Sequence, residues 1–416
     1  MKTLVDRKLF LAALDIIGTV VAGDEERFGS VVVFRVRDGR LVLGATDSVT
    51  FVETEVLASE VEAGAGDPNA AMAIHDKVKR VVTNADSDKL ELSYDSGEVR
   101  IVTGDGGDVS FDSVTLQSYP WFDEAIESST SSGTCLSSDL HATLTFLRPF
   151  VATKAADLNF TVAESRVVKV AGVETKVVLA TDKMRLAVWN NPRLSIDLRV
   201  PHDQAPRLVT ILGKREPTAS VDVRDGKNHA VFQIVGPEAQ AGADGAVIPA
   251  SRVKTTFGFL KPEARFPADL KNFPVTIPNP SPQMEVVRFS KSAMKRAIEC
   301  ILAPLDSSSS HSITMCVSGV GEGGRIRLTA KHPTGKKDPQ WELTAVRLPG
   351  GPDPSVVVPV LLVGETLQGA MGPLPGDEVL MAINSDPSQK WIQLSGIVEG
   401  DEGARASVLI NRRREK

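Results

Sequence analysis

Apolar residues recur at helical spacing in three stretches of this 416-residue chain, and each stretch opens a similar succession of patterns. In "VDRKLFLAALDIIGTVVA" the stripe is Val5, Leu9, Ala13, Ile16 and Val20. In "LSSDLHATLTFLRPFVAT" it is Leu136, Leu140, Leu144, Leu147 and Val151, and in "FSKSAMKRAIECILAPLD" it is Phe289, Ala293, Ala297 and Ile301. Residues at this spacing share one side of an α-helix, so three amphipathic helices are predicted. Downstream, alternation of apolar and polar residues predicts strands in "LVLGATDSVTFVETEV" (41–56), "VVLATDKMRLAVW" (177–189) and "IRLTAKHP" (326–333). Thr46-Asp47 and Thr181-Asp182 stand 135 residues apart and Ala330 follows Thr181 by 149, so a unit the size of a small domain is repeated.

A second helix and two alternating strands complete each unit. "IHDKVKRVVTNADSDKLELSYDSGEVRIV" from Ile74 turns at "DSGE", the stretch from Val200 turns at "RDGKN", and "VPVLLVGETLQGAMGPLPGDEVLMAINSDPSQKWIQL" from Val358 closes the third unit. Val200-Pro201 and Val358-Pro359 suit a strand end leading into a helix with Pro near its first turn. "SYPWFDEAIE" (118–127) and "RFPADLKNFP" (265–274) put an aromatic-Pro pair after the last strand of two units. Ser-rich "SSTSSGT" (128–134) and Pro-rich "PVTIPNPSPQ" (274–283) have the composition of linkers. The expectation is an α+β protein of three repeated domains, 1–130, 131–280 and 281–416, each with two sub-repeats, and with extra loops at 236–249 and at "SSSSH" (307–311).

Composition narrows the function. Apolar residues make up 42% of the chain, enough for more than one core, and no apolar run has the length of a membrane helix or a signal-peptide core, so a soluble cytoplasmic protein is expected. The three cysteines, Cys135, Cys300 and Cys316, lack metal-ligand spacing and are expected to be buried small hydrophobes. Forty-seven Lys and Arg against 53 Asp and Glu give a net charge of −6, which argues against a protein that coats nucleic acid over its whole surface but allows a local basic face. "GVGEGG" (319–324) satisfies a dinucleotide-binding spacing but precedes an alternating strand and no helix; "GDGGD" (104–108) reads as a hairpin turn. The histidines form no ligand pair, and Asp47 and Asp182 sit at equivalent turns, where capping the turn explains both. No cofactor, metal or active site is expected.

The order and spacing of these pieces resemble the bacterial sliding clamp, the β subunit of DNA polymerase III, over essentially the whole chain. "ATDKMRLAV" is similar to that family's Ala-Thr-Asp-Gly-X-Arg-Leu-Ala strand and turn, "RFPADLKNFP" to its Arg-Phe-Pro-Asp-Tyr segment, and "MKTLVDRKLFLAAL" to its N-terminus. The resemblance implies a head-to-tail homodimeric ring with helices lining the hole and sheets outside. Twelve helices of roughly 10 Å width would leave a hole of about 28 Å, wider than a duplex of about 20 Å. It also implies sequence-independent binding of double-stranded DNA, with a DNA polymerase and an ATP-dependent clamp loader docking through short peptide motifs.

A basic inner face is then expected. Arg7, Lys8, Lys77, Lys79, Arg80, Arg148, Lys154, Arg207, Lys214, Lys291, Lys295 and Arg296 lie on or just after the expected helices, and Arg27 lies close to where the family has a DNA-contacting Arg. The implied peptide pocket has Thr181, Lys183, Met184, Arg185, Leu186, Pro267 and Lys271 on one side and Pro359, Leu362, Val408, Leu409 and Ile410 on the other. Two departures stand out: Lys183 replaces the usual Gly after Thr-Asp, and "VLINRRREK" replaces the family's Met-Pro-Met-Arg-Leu tail. A clamp-like ring with a specialised partner set, in phage replication, repair or resistance, would show such departures. A triplicated α+β enzyme is the alternative from another class, and it requires converging acid, base or metal residues.

Overall fold

The carboxylate of Asp6 accepts the Leu9 backbone N–H at 3.0 Å, so one residue both ends a strand and caps the helix that follows. The computed structural model describes residues 1–21, 30–62, 70–95, 97–113, 119, 122–153, 158–170, 173–236, 253–267, 275, 278–305, 311–332, 334, 337–353, 359–386, 391–397 and 405–411. Through them one motif, a strand leading into a helix and then three strands, occurs six times. The first is β1 (Lys2–Asp6), α1 (Arg7–Ile17), β2 (Val31–Arg37), β3 (Arg40–Thr46) and β4 (Thr50–Val56), after which comes a connecting strand β5 (Ala58–Glu62). The second is β6 (Ala70–Ile74), α2 (His75–Asn84), β7 (Lys89–Asp95), β8 (Glu98–Thr103) and β9 (Asp108–Asp112), followed by the short α3 (Asp123–Glu127). The third is β10 (Thr130–Leu136), α4 (Ser137–Leu147), β11 (Val162–Val170), β12 (Val173–Thr181) and β13 (Arg185–Asn190). The fourth is β14 (Arg199–Pro201), α5 (Ala205–Gly213), β15 (Ser220–Asp225), β16 (His229–Val235) and β17 (Lys254–Leu260). The fifth is β18 (Met284–Ser290), α6 (Lys291–Leu302), β19 (Ser312–Ser318), β20 (Gly321–Ala330) and β21 (Gln340–Arg347). The sixth is β22 (Val360–Val363), α7 (Gly364–Met371), β23 (Glu378–Asn384), β24 (Trp391–Ile397) and β25 (Arg405–Asn411).

Consecutive motifs exchange their first strands. β6 joins β2-β3-β4 and β1 joins β7-β8-β9; β14 joins β11-β12-β13 and β10 joins β15-β16-β17; β22 joins β19-β20-β21 and β18 joins β23-β24-β25. In five motifs the strand enters its helix with no intervening residue, so the helix has no slack to leave the sheet that holds its strand. The chain forms two compact units: residues 1–141, 195–197 and 203–262, and residues 142–194, 198–202 and 263–416. In the first unit β4 pairs antiparallel with β17, from Thr50↔Phe259 to Thr54↔Thr255, and completes an eight-stranded sheet. In the second, β13 pairs antiparallel with β25, from Arg185↔Ile410 to Asn190↔Arg405, within a twelve-stranded sheet.

The caps explain where the predicted stripes drift. Because Asp6 starts α1, Val5 is a buried strand residue, Leu9 is 44% exposed, and the buried face is Phe10, Ala13, Leu14, Ile16 and Ile17. Phe289 and Leu136 likewise belong to β18 and β10, while Leu140, Leu144, Leu147 and Val151 are buried as expected. The Ser-rich stretch 128–134 is not an open linker: Thr130–Leu136 is β10, and its small side chains bond across to β15, Ser131 Oγ to Asp222 and Ser132 Oγ to the Val223 carbonyl at 3.0 Å. Pro201 ends β14 and Pro359 precedes β22, so neither lies in a helix; the proline in the first turn of α5 is Pro206. "DSGE", "RDGKN" and "GDGGD" are the turns between β7 and β8, β15 and β16, and β8 and β9. Apart from Gly236 and His311, the expected loops at 236–249 and 307–311 lie outside the described residues. Cys135 is buried, its thiol pushed up to about 12 by burial and then by Asp139; Cys316 is half-buried, whereas Cys300 faces out from the polar side of α6 and corrects the expectation of burial.

On the face of each joined sheet, one aromatic segment packs over the seam. In the first unit Phe122 stacks on Phe51 at 4.2 Å, with Val231 and Ile126 beside them, while Tyr119 covers Val31, Val33 and Met72. Gly258 sits under Phe51 so closely that a Cβ would lie 2.3 Å from the ring. Arg35 and Arg37 fasten this segment through Asp123, Arg35 at 2.7 and 2.8 Å, and share Glu53. In the second unit Phe266 and Val275 cover Val177, Leu179, Leu186, Val188 and Leu409. The hydrogen bond from Arg35 holds the Asp123 carboxyl below its ordinary range against the opposing effect of burial. That stability is complete above the unfolded aspartate range near pH 4 and is lost as pH falls through the lower folded value. Asp123→Asn should therefore lower Tm near neutrality and flatten its decline below about pH 4, read by thermal melts across pH.

Candidate functional site

The two Thr-Asp turns are built alike, atom for atom. Asp47 Oδ1 accepts the backbone N–H groups of Val49 and Thr50 at 3.0 and 2.7 Å; Asp182 Oδ1 accepts those of Met184 and Arg185 at 3.1 and 2.8 Å. Thr46 Oγ1 donates to the Thr50 carbonyl, and Thr181 Oγ1 to that of Arg185. The turn requires a left-handed residue at its third position, which is Ser48 in one copy and Lys183 in the other, both at φ 75°. Each Asp then spends its second oxygen on an arginine: Asp47 on Arg207 of α5 at 2.6 Å, and Asp182 on Arg185 at 2.6 and 2.8 Å. With every carboxylate oxygen engaged, these residues are structural, as the equivalence of the turns suggested.

Around the second turn lies a set of elements tied together by specific bonds. Two 3-10 turns, Arg148–Phe150 and Leu158–Phe160, stand beside it. Arg185 donates to the Pro149 carbonyl at 3.1 Å and lies 4.9 Å over the Phe150 ring. The Lys183 ammonium lies 4.6 Å over Phe160. The Arg265 N–H donates to Asn159 Oδ1 at 3.2 Å, Phe266 N–H donates to Glu164 at 2.7 Å, and Arg166 donates to the Phe266 and Pro267 carbonyls, the latter at 3.0 Å. At the far edge, Asn411 N–H donates to the Met184 carbonyl at 3.1 Å.

Of the twelve residues expected to line a peptide pocket, Leu186, Leu362, Val408, Leu409 and Ile410 are 0% exposed and Thr181 is 3% exposed. They are core residues that can shape a surface only from beneath. Those that reach solvent are Lys183, Met184 and Pro359, with Arg185 and Pro267 half-buried; Lys271 lies outside the described residues. Sequence reasoning missed Phe160 and Arg265, which no periodicity connects to the turn.

The expected basic face sorts by partner. Lys8, Lys77, Arg80, Arg148 and Arg296 are exposed, and Lys295 is half-buried. Others are engaged within the protein: Arg207 with Asp47, Arg7 with the Thr83 carbonyl at 3.3 Å, and Lys291 with the Leu374 carbonyl at 2.6 Å, where burial and then Lys295 push its ammonium down. Lys79 bonds Asp15 at 2.7 Å, and Lys214 approaches the same carboxylate at 4.0 Å and bonds the Asp15 carbonyl at 3.0 Å. These three residues and His75 line a polar cleft of about 370 Å³. Arg27 and Lys154 lie outside the described residues. Among the described residues no group of His, Cys, Asp and Glu has a metal-holding arrangement, and no helix is long and apolar enough to cross a membrane.

Removing the Asp182 carboxylate would leave Arg185 and two N–H groups unanswered. Asp182→Ala should lower stability by about 2 kcal/mol, and Asp182→Asn, which keeps an acceptor for the turn, by about half of that; chemical denaturation separates the two.

No family model matches the sequence, and no curated protein is similar to it by sequence. Similarity appears at the level of the fold. The DNA polymerase III subunit β from Pseudomonas aeruginosa is 14% identical and superposes with a TM-score of 0.74 over 100% of both chains. DNA polymerase III β from Caulobacter crescentus is 16% identical, with a TM-score of 0.72 and 100% of both chains covered. The DNA polymerase III β subunit from Thermotoga maritima is 16% identical, with a TM-score of 0.71 over 100% of both chains. The chain has, from end to end, the α+β fold of the DNA polymerase III β subunit that its Ala-Thr-Asp strand and its RFPADLKNFP segment resemble.

Proposed function

We propose that this protein is a DNA sliding clamp: a homodimeric ring that encircles duplex DNA and tethers a replicative polymerase, with no catalysis of its own. The observation that carries the reading is a pair of unmatched strands. The last strand of the first motif, β4, pairs with the last of the fourth, β17, and the last of the third, β13, with the last of the sixth, β25. By the same rule β21, last of the fifth, requires β9, last of the second, from another copy. Among the described residues β9 pairs only with β8, while β21 pairs along its length with β20 and meets β18 only at Val346 and Arg347. A chain offering one edge of each kind closes head to tail with a second copy, and two such contacts make a ring. Trp341, on β21 in the same alternate register as buried Leu343 and Ala345, is 41% exposed and suits such a contact.

In this reading the three domains are 1–130, 131–280 and 281–416, each holding two of the six motifs. Lys8, Lys77, Arg80 and Arg296 supply loose, sequence-independent phosphate contacts, with Lys79, Lys214 and Lys295 nearby. Retention comes from topology: the ring leaves closed DNA only by opening an interface, which keeps the polymerase near its primer end by effective concentration. An ATP-dependent loader and a polymerase dock through short peptides at the 181–185 turn, where Met184 is 46% exposed.

The test is retention on circular and linearised DNA after loading, alongside the mass in solution. The expected result is a particle of about twice 44.5 kDa that stays on circles and runs off linear ends, and Trp341→Asp should convert it to a monomer with neither property. A wild-type monomer, or equal retention on both DNAs, sinks the reading.

A further inference from the structure

The apolar row on β13 runs Leu186, Val188 beneath the Phe266 segment and continues one alternate position outward to Met184, which is 46% exposed. A methionine at the open end of a buried row is an adaptable apolar contact for an incoming side chain. Three exposed cations surround it. Lys183 and Arg265 are both exposed, joined through the Phe160–Asn159 turn that each touches, and Arg148 is exposed next to the Pro149 carbonyl held by Arg185. Among the described residues none of these three cations has a carboxylate partner. Two nearby carboxylates are already engaged, Asp182 by Arg185 and two backbone N–H groups, and Glu164 by the Phe266 N–H and by Arg199 at 3.6 Å, while Glu263, two residues before Arg265, is exposed.

Lys183 is the informative member. It holds a left-handed backbone at φ 75°, which a lysine tolerates less well than glycine, and the matching position in the other turn is a serine without a charge. The turn itself needs only the conformation, so the long cation adds nothing to its hydrogen bonds.

We infer that this turn selects acidic partner peptides: an extended segment lays an apolar side chain against Met184 and sets flanking carboxylates on Lys183, Arg265 and Arg148. The inference rests on the peptide-docking reading of the same turn and names the chemistry of its partner. Charge complementarity of this kind sets partner choice more than gross affinity.

The experiment is fluorescence anisotropy on the full chain with two labelled peptides. One carries leucine and phenylalanine anchors with glutamates between them; the other has glutamine at each glutamate. Wild type should bind the glutamate peptide about tenfold more tightly, with the difference shrinking as salt rises. Lys183→Gly, which keeps the turn's backbone conformation, should erase most of that preference while the thermal melt stays cooperative. Arg265→Glu should invert the preference. Equal binding of both peptides by wild type would overturn acidic selection and leave peptide docking intact; binding of neither would overturn both.

Discussion

Antiparallel pairing between the last strands of different motifs is the constraint on which the rest of this structure depends. A three-stranded set ending in an open edge exposes unpaired N–H and C=O groups, and β4 and β13 each satisfy theirs with a strand from a later motif, β17 and β25. The exchange of first strands adds a second lock, because in five of the six motifs the helix follows its strand directly and is held wherever that strand is paired. Secondary features serve these joins. Thr54 and Thr255 share a hydrogen bond of 2.9 Å across the first seam, and Phe122 and Phe266 cover one seam each with aromatic surface. Among the described residues β9 and β21 are the last strands left without such a partner.

The polar groups divide the same way. Where a charge fastens a segment, it is partly buried and hydrogen-bonded to that segment, as in Arg35 and Arg37 around Asp123 and Glu53, or Arg166 and Glu164 around Phe266 and Pro267. Where a charge faces solvent with no ion pair among the described residues, as at Lys183, Arg265 and Arg296, it is available to something outside the protein. This distinction redistributes the thirteen basic residues picked out along the helices, since Arg207 and Lys291 belong to the first group despite their positions in sequence.

Much of the fold was legible in the pattern of residues. Helical stripes, the Thr-Asp strands, the "DSGE" and "RDGKN" turns and the paired aromatic-Pro segments follow from spacing, because side-chain periodicity and turn chemistry are local. The starts of α1 and α6 were misplaced by two residues, since Asp6 and Ser290 act as caps only when the strand before them is fixed, and α5 and α7 begin four and five residues beyond Pro201 and Pro359. The Ser-rich stretch from 128 looked like a linker because composition cannot register that Ser131 and Ser132 have bonding partners on β15.

The sequence by itself determined the repeat, the amphipathic faces and the chemistry of the Thr-Asp turn, because each depends on residues within one helix turn or one strand of each other. Tertiary structure alone decided which surfaces remain. Leu186, Leu409 and Ile410 read as pocket residues, yet the packing of Phe266 and the pairing of β13 with β25 bury them completely. Phe160 and Arg265 are separated from Met184 by 24 and 81 residues and come beside its turn only through folding. Exposure and charge pairing are sums over neighbours from many parts of the chain, so no short window of sequence contains them.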